Sequence, residues 1–289
     1  MAVAAVLSPK VTLETYDTFL AFLEEKLSRP VQLAQRRTYA EVNEMVRSGE
    51  IDLAFVCGGG YVVGQKDFGM ELLVMPVKGG NSTYHSYLIV PADSGAKSID
   101  DLKGGSFAFT DPLSNSGRLV PLYMLHLKGE TPDSFFERYT FTYSHDNSIR
   151  AVAAKLVDGA SVDSLVYDAL IVQEPALLSR TKIIQVSPPY GIPPVVVHPQ
   201  LNFEIKEQLR RVFLEMHQEE NGRKALAELG IDRFVPMIPS VLCSMPWEPS
   251  HEAAQNLGPF LGLRDWGERE HQDPGHDIGA GNPLRPGFH

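Results

Sequence analysis

The sequence predicts an α/β protein built as two similar lobes. Three observations carry that reading. Short apolar strands alternate with amphipathic helices through the first two thirds of the chain. One plan occurs twice: a helix, a glycine stop, a short strand and a loop with a tyrosine, ending once at Tyr61 and again at Tyr167. Two extended segments, residues 84–91 and 186–198, read as crossings between the lobes.

Residues 3–7 are apolar enough for a first strand. Thr12 can cap a helix running to Leu27, because Leu13, Tyr16, Phe19, Leu20 and Leu23 recur at helical spacing. Residues 31–34 form a second strand, residues 39–47 a helix stopped by Gly49, and residues 51–56 a buried strand followed by a glycine loop at 58–60. The alternation resumes with a strand at 107–110, a loop at 111–117 and a helix through 125. After a strand at 141–143, Ser144-His145-Asp146-Asn147 opens a helix with Ile149, Val152, Ala153, Leu156 and Val157 on one face. That helix runs to Gly159 and leads into a strand at 160–163. Pro188, Pro189, Pro193 and Pro194 stiffen the second crossing. Helices follow at 203–218 and at 222–229, the latter stopped by Gly230. Beyond Trp247 the chain is rich in Gly, Pro, His and charge, a composition expected to stay disordered. Four of the nine histidines lie there, which leaves room for a metal site.

Bulk composition narrows the function. At 289 residues with 43% hydrophobic side chains, the chain can bury a sizeable core. A formal net charge of −10 argues against nucleic acid as a partner, since a phosphate backbone needs basic patches. It does not argue against a small buried anion, which feels local dipoles. No apolar run reaches the length of a membrane span, so direct membrane insertion is not expected. The chain opens in a strand without a basic leader, so either the protein is cytosolic or an export leader has been removed and the start misplaced. Cys57 and Cys243 are too few for a disulfide framework.

The strongest anion candidate is the loop at 111–117. It joins a strand to a helix, so unpaired backbone N–H groups and the helix dipole point into it. Ser114, Asn115 and Ser116 add side-chain donors, and Gly117 permits close approach. An ordinary N-cap fits the same residues. At the equivalent junction, His145 can donate to an anion and Asp146 can accept a proton from it, while capping by Ser144 or Asp146 is the plainer alternative. Cys57-Gly58-Gly59-Gly60 lies beyond a strand's carboxyl end, where open α/β sheets bind ligands. Cys57 is either a small buried hydrophobe or a thiol ligand. The run lacks the Lys-Ser/Thr of a nucleotide loop. Tyr39 and Tyr84 each can present a phenol to an anion or serve as boundary aromatics.

At these residues the chain resembles the phosphate/phosphonate-type periplasmic binding proteins of ABC transporters. The pieces that carry the resemblance are Ala54-Phe-Val-Cys-Gly-Gly-Gly-Tyr61, Tyr84-His-Ser-Tyr-Leu-Ile-Val90, Phe109-Thr-Asp-Pro-Leu-Ser-Asn-Ser-Gly-Arg-Leu-Val-Pro121 and Ser144-His-Asp-Asn147. The resemblance implies a Venus-flytrap fold: two α/β lobes on two hinge crossings, with residues 1–89 and 190–246 in lobe I, 90–189 in lobe II, and a tail from 247 to 289. It implies an oxyanion gripped by Ser114, Asn115 and Ser116, contacted by His145, Tyr39 and Tyr84, with Asp163 reading the ligand's remaining group. It implies a periplasmic monomer without cofactor that hands its ligand to a membrane permease or a sensor histidine kinase, and no catalysis. The Cys57-Gly58 pair departs from the phosphonate transporters. It is similar to a branch linked with sensors that includes arsenite-binding members, so arsenite capture by Cys57 stands as one alternative. An enzyme with Cys57 or His145 catalytic stands as another.

Overall fold

The computed structural model describes residues 1–4 and 9–236. The expected tail, Cys243 and the four tail histidines lie outside the described residues, as does most of the first expected strand. In chain order the elements are β1 (Ala2–Val3), α1 (Pro9–Leu27), β2 (Ala34–Gln35), α2 (Tyr39–Arg47), β3 (Leu53–Phe55), α3 (Gly58–Phe68), β4 (Glu71–Val77), β5 (Thr83–Tyr84) and β6 (Ser86–Pro91). Then come β7 (Ser106–Phe109), α4 (Val120–His126), α5 (Pro132–Phe135), β8 (Arg138–Phe141), α6 (His145–Ala153), β9 (Gly159–Asp163) and α7 (Ser164–Gln173). The chain closes with β10 (Thr181–Val186), β11 (Tyr190–Gly191), β12 (Val195–Val197), α8 (Phe203–Glu215), α9 (Glu220–Leu229) and β13 (Arg233–Val235).

Apart from a separate β5–β11 pair, the strands form two sheets, one per lobe. The first has the order β13-β4-β12-β3-β1-β2 and the second β10-β6-β9-β7-β8. Within them β1 runs parallel to β2 and β3, and β7 runs parallel to β8 and β9. The chain leaves the first sheet after β4 and returns at β12. Between these passages β5 and β11 pair antiparallel, with Tyr84 opposite Tyr190. An interlocked aromatic cluster of Phe19, Phe55, Phe213 and Phe234 fills one face of the first sheet, the last two rings 4.9 Å apart. The second sheet is covered on both faces, by α6 and α7 on one side and by α4 with Phe107, Phe109 and Phe136 on the other. Among the described residues no helix is long and apolar enough to cross a membrane.

Several elements differ from the sequence expectation. The first helix starts at Pro9, so Thr12 lies inside it and is not the cap; a proline suits the first helical turn, where its missing N–H leaves nothing unpaired. The second strand is displaced from 31–34 to β2, and the strand expected at 141–143 ends at Phe141. Tyr143 instead takes a left-handed φ of 59° before α6. Strand β4 carries no strict alternation because it is buried on both faces toward its end. The glycine run is not a loop: Gly58, Gly59 and Gly60 are the first turn of α3. A Cβ at Gly59 would lie 2.2 Å from the Leu113 carbonyl oxygen, so the residue is small because the other lobe presses on it. Likewise Tyr167 lies on α7 and not in a loop.

Candidate functional site

The carboxyl ends of β3, β7 and β9 and the starts of α2 and α6 deliver the predicted residues to one place. Tyr39, Cys57, Tyr84, Ser114, Asn115, Ser116, His145, Asp146 and Asp163 are each no more than 3% exposed. The segment after β7 is the centre of the arrangement. Asp111 accepts the Leu113 N–H through Oδ1 at 2.8 Å and the Tyr39 N–H through Oδ2 at 3.1 Å, so it also serves an unpaired donor at the start of α2 in the other lobe. Ser114 caps the turn that follows, its Oγ accepting from Gly117 N–H at 3.0 Å. Residues 115–119 then make one wide π-type turn rather than an α-helical start. Gly117 is needed there, since a Cβ would meet Thr110 Oγ1 at 2.3 Å. The hydroxyls of Ser86 and Ser161 donate to the Ser116 carbonyl at 2.8 and 2.7 Å and tie the turn to β6 and β9.

Across this turn the two lobes meet. The Asn115 N–H donates to Cys57 Sγ at 3.3 Å, and Asn115 Nδ2 donates to the Tyr84 hydroxyl at 2.9 Å. Leu113 packs with Ala4, Tyr39 and Cys57. Nearby, the Arg37 guanidinium lies 4.5 Å over the Tyr143 ring. Gly58 is buried in the first turn of α3 behind Cys57. Asp146 is buried in the first turn of α6.

Burial decides the charge states. It drives the His145 ring down to about 3, so the imidazole is neutral near pH 7. It pushes the Cys57 thiol up to about 11, against the lowering effect of the Asn115 and Gly59 N–H groups. It raises Asp163 to about 7, although Asp163 Oδ1 accepts from Leu165 N–H at 2.7 Å and Val166 N–H at 3.4 Å. The Tyr39 and Tyr84 phenols are held well above their ordinary range, first by burial and then by Cys57.

Four buried polar atoms in this region have no protein partner: Tyr39 Oη, Asn115 Oδ1, Ser116 Oγ and Ser144 Oγ. Ser116 Oγ lies beside the Tyr84 phenol, outside hydrogen-bond geometry. Among the described residues only Asn43 Oδ1 and His217 Nδ1 share that condition. A buried hydroxyl without a partner costs about 1–3 kcal/mol, so a cluster of them marks a place built for something else. Capping by Ser144, one of the alternatives at this junction, is not seen: Ser144 sits at the cap position of α6 with no capping bond. Thr110, Asp111, Ser86 and Ser161 were not singled out in the sequence. Asp111 opens the 111–117 loop and Thr110 directly precedes it, while Ser86 and Ser161 carry no local signal. Among the described residues no group of His, Cys, Asp or Glu can hold a metal ion.

Comparison with known proteins points the same way. The model of the phosphonate-binding family, described as the periplasmic substrate-binding protein of a phosphonate ABC transporter, matches residues 1–242. The phosphonates-binding periplasmic protein of Escherichia coli is 29% identical over 220 residues, 74% of this chain and 65% of that protein. The phosphate-import protein PhnD of Mycolicibacterium smegmatis is 32% identical over 168 residues, 54% of this chain and 52% of that protein. The chain thus spans less than two thirds of the length of either curated relative. Among solved structures, a binding-protein component of a phosphonate ABC transporter from Pseudomonas aeruginosa superposes with a TM-score of 0.79 at 23% identity, covering 92% of this chain and 97% of that one. PhnD1 of Prochlorococcus marinus in complex with methylphosphonate gives 0.76 at 19% identity, covering 89% and 96%. These likenesses show the two-lobed periplasmic-binding-protein fold.

Proposed function

The chain belongs to the family of periplasmic substrate-binding proteins of phosphonate ABC transporters, and from that premise we propose that it captures a small phosphorus oxyanion between its lobes and presents it to a membrane permease. The observation that carries the reading is the cluster of buried, partnerless hydroxyls on Tyr39, Ser116 and Ser144 beside a neutral imidazole. All are neutral donors. A low-dielectric site lined by fixed donors holds an oxygen anion without a cation, through charge-assisted bonds. Tyr84 and the backbone of the 115–119 turn complete the shell, and Asp163 faces a protonated or substituent group of the ligand. The match to a structure holding methylphosphonate and to phosphonate and phosphate carriers supports a phosphonate, phosphate or phosphite ligand.

The buried groups require that the lobes part to admit ligand. The hinge in this reading is the pair of passages at residues 78–85 and 187–194, held by β5 and β11, which puts lobe II between them. Ligand bridging both lobes then favours the closed state. We place the protein in the periplasm as a monomer, without a cofactor and without catalysis of its own. Cys57 fits as a packing residue: its thiol is neutral and its sulfur already accepts a backbone N–H. That chemistry disfavours both a thiolate arsenic ligand and a nucleophile.

Calorimetric titration with phosphite, phosphate, methylphosphonate and sulfate tests the proposal. At least one phosphorus ligand should bind, and Ser116→Ala should weaken it by about ten- to a hundredfold, the worth of one charge-assisted bond. Unchanged affinity in Ser116→Ala would remove the anion from this turn.

A further inference from the structure

We propose that the Asp163 backbone N–H fixes His145 as its Nε2–H tautomer, which makes the ring a one-way donor to the bound oxyanion, with Thr110 as its positioning residue. The inference rests on the reading that His145 faces the ligand. Its foundation is the environment of Nδ1. The Asp163 N–H points at that atom from 3.1 Å, and a backbone N–H can only donate. Nδ1 must therefore offer its lone pair, and the single proton of a neutral imidazole sits on Nε2.

The hydroxyl chain behind the ring is consistent with one direction. Thr142 Oγ1 donates to the Ser144 carbonyl at 3.0 Å. Ser148 Oγ, 2.6 Å from Thr142 Oγ1, then donates to Thr142. Thr110 Oγ1 then has two acceptors in reach, Nδ1 at 3.2 Å and Ser148 Oγ at 3.5 Å, and gives its one proton to the nearer, Nδ1. Each hydroxyl spends its one proton once. Thr110 is itself held rigidly: its N–H donates to the Gly117 carbonyl at 3.2 Å and its carbonyl accepts from Tyr143 N–H at 2.7 Å. The contact between Thr110 and Gly117 explains why the anion turn and the imidazole keep a fixed spacing.

The consequence is chemical selectivity. With Nδ1 already facing a donor, the ring cannot take a second proton without breaking the Asp163 bond. It presents one N–H and no charge, so the ligand atom it meets must be an acceptor. The burial that keeps the imidazole neutral acts in the same direction.

The test combines spectroscopy with substitutions, using the whole chain. Long-range proton–nitrogen correlation of ¹⁵N-histidine protein at pH 7, without ligand and with phosphite, should show His145 with an unprotonated Nδ1 and a protonated Nε2 in both states. His145→Gln places an amide nitrogen near Nε2 and serves to assign the resonance. It should bind phosphite within about tenfold of wild type. His145→Asn places its amide near Nδ1 and should lose about a hundredfold, the worth of a charge-assisted bond. Thr110→Val leaves the Asp163 N–H on Nδ1 and so should keep the tautomer, but it removes the second donor that positions the ring and should weaken binding several-fold, and Thr110→Ser should restore affinity. A ring protonated on Nδ1 at pH 7 overturns the lock while leaving the oxyanion reading intact. Wild-type affinity in Thr110→Val removes Thr110 from the role. If His145→Gln and His145→Asn both bind as wild type, the ring does not touch ligand and the underlying reading falls with the inference.

Discussion

The two lobes carry the same backbone device with opposite assignments. Arg37, Thr38, Tyr39, Gly49, Cys57 and Tyr61 in lobe I each precede a counterpart in lobe II by 106 positions: Tyr143, Ser144, His145, Lys155, Asp163 and Tyr167. Both stretches run helix, left-handed residue, strand, cap, helix; Gly49 and Lys155 have φ of 71° and 55°. Each stretch has two cap positions. In lobe I the first cap serves its own helix, because Thr38 and Glu41 close a capping box on α2. The second, Cys57, makes no capping bond and instead takes the Asn115 N–H of the other lobe. In lobe II the order is reversed: Ser144 caps nothing, and Asp163 caps α7 with two bonds. At the first cap position the hydroxyl that its own helix leaves unsatisfied, Ser144, is the one available to the cleft, whereas Thr38 is spent on α2.

Asp163 offers the largest test, because it is both a cap and a buried acid. Its folded value, about 7, lies above that of an unfolded aspartate near 4. Below pH 4 both states are protonated and burial of the acid costs nothing. As pH rises toward 7 the unfolded chain ionises first, so stability is lost, and the loss levels off above 7. Asp163→Asn keeps a capping oxygen and removes this loss. Ligand-free Asp163→Asn should exceed wild type at pH 8 by roughly 4 kcal/mol in urea unfolding, with the gap closing toward pH 4. A constant difference across that range would mean that the acid is not buried in the free protein.

The next test is Gly59, whose counterpart is Leu165. Lobe II tolerates a leucine there, whereas in lobe I the Leu113 carbonyl occupies the space. Gly59→Ala should cost about 1–3 kcal/mol of overpacking in the closed state, read as a ten- to hundredfold loss of phosphite affinity. Equal affinity would show that Leu113 does not press on α3 when ligand is bound.

The smallest effects contrast the two first caps. Thr38→Ala should lower unfolding stability by about 1 kcal/mol with little change in affinity. Ser144→Ala should do the reverse: near-neutral stability, because a partnerless buried hydroxyl is removed, and about tenfold weaker binding. If both variants lose stability alike, the division between capping and cleft-facing serves no purpose.

Much of this was legible along the chain. Apolar periodicity located α2, β3, β9, α8 and α9 to within a few residues, because those elements bury one stripe or a short continuous run. The Ser-Asn-Ser and Ser-His-Asp-Asn junctions were legible from their place between a strand and a helix, where unpaired N–H groups gather. Local pattern could not show that the glycine run is helical, since its glycines answer to Leu113 more than fifty residues away. Nor could it show which caps face inward. Thr38 is satisfied inside its own helix by the Thr-x-x-Glu box with Glu41, while Ser144, with Asn147 at that position, is left without a partner among its neighbours, which only the structure shows. The charge states were equally out of reach, because a neutral His145, a neutral Cys57 and a weakened Asp163 acid follow from water exclusion when two distant segments close on each other. The sequence alone determined which polar groups stand at the ends of strands. Tertiary structure decided which of them find partners, because partners come from residues a hundred positions away and desolvation comes from the whole cleft.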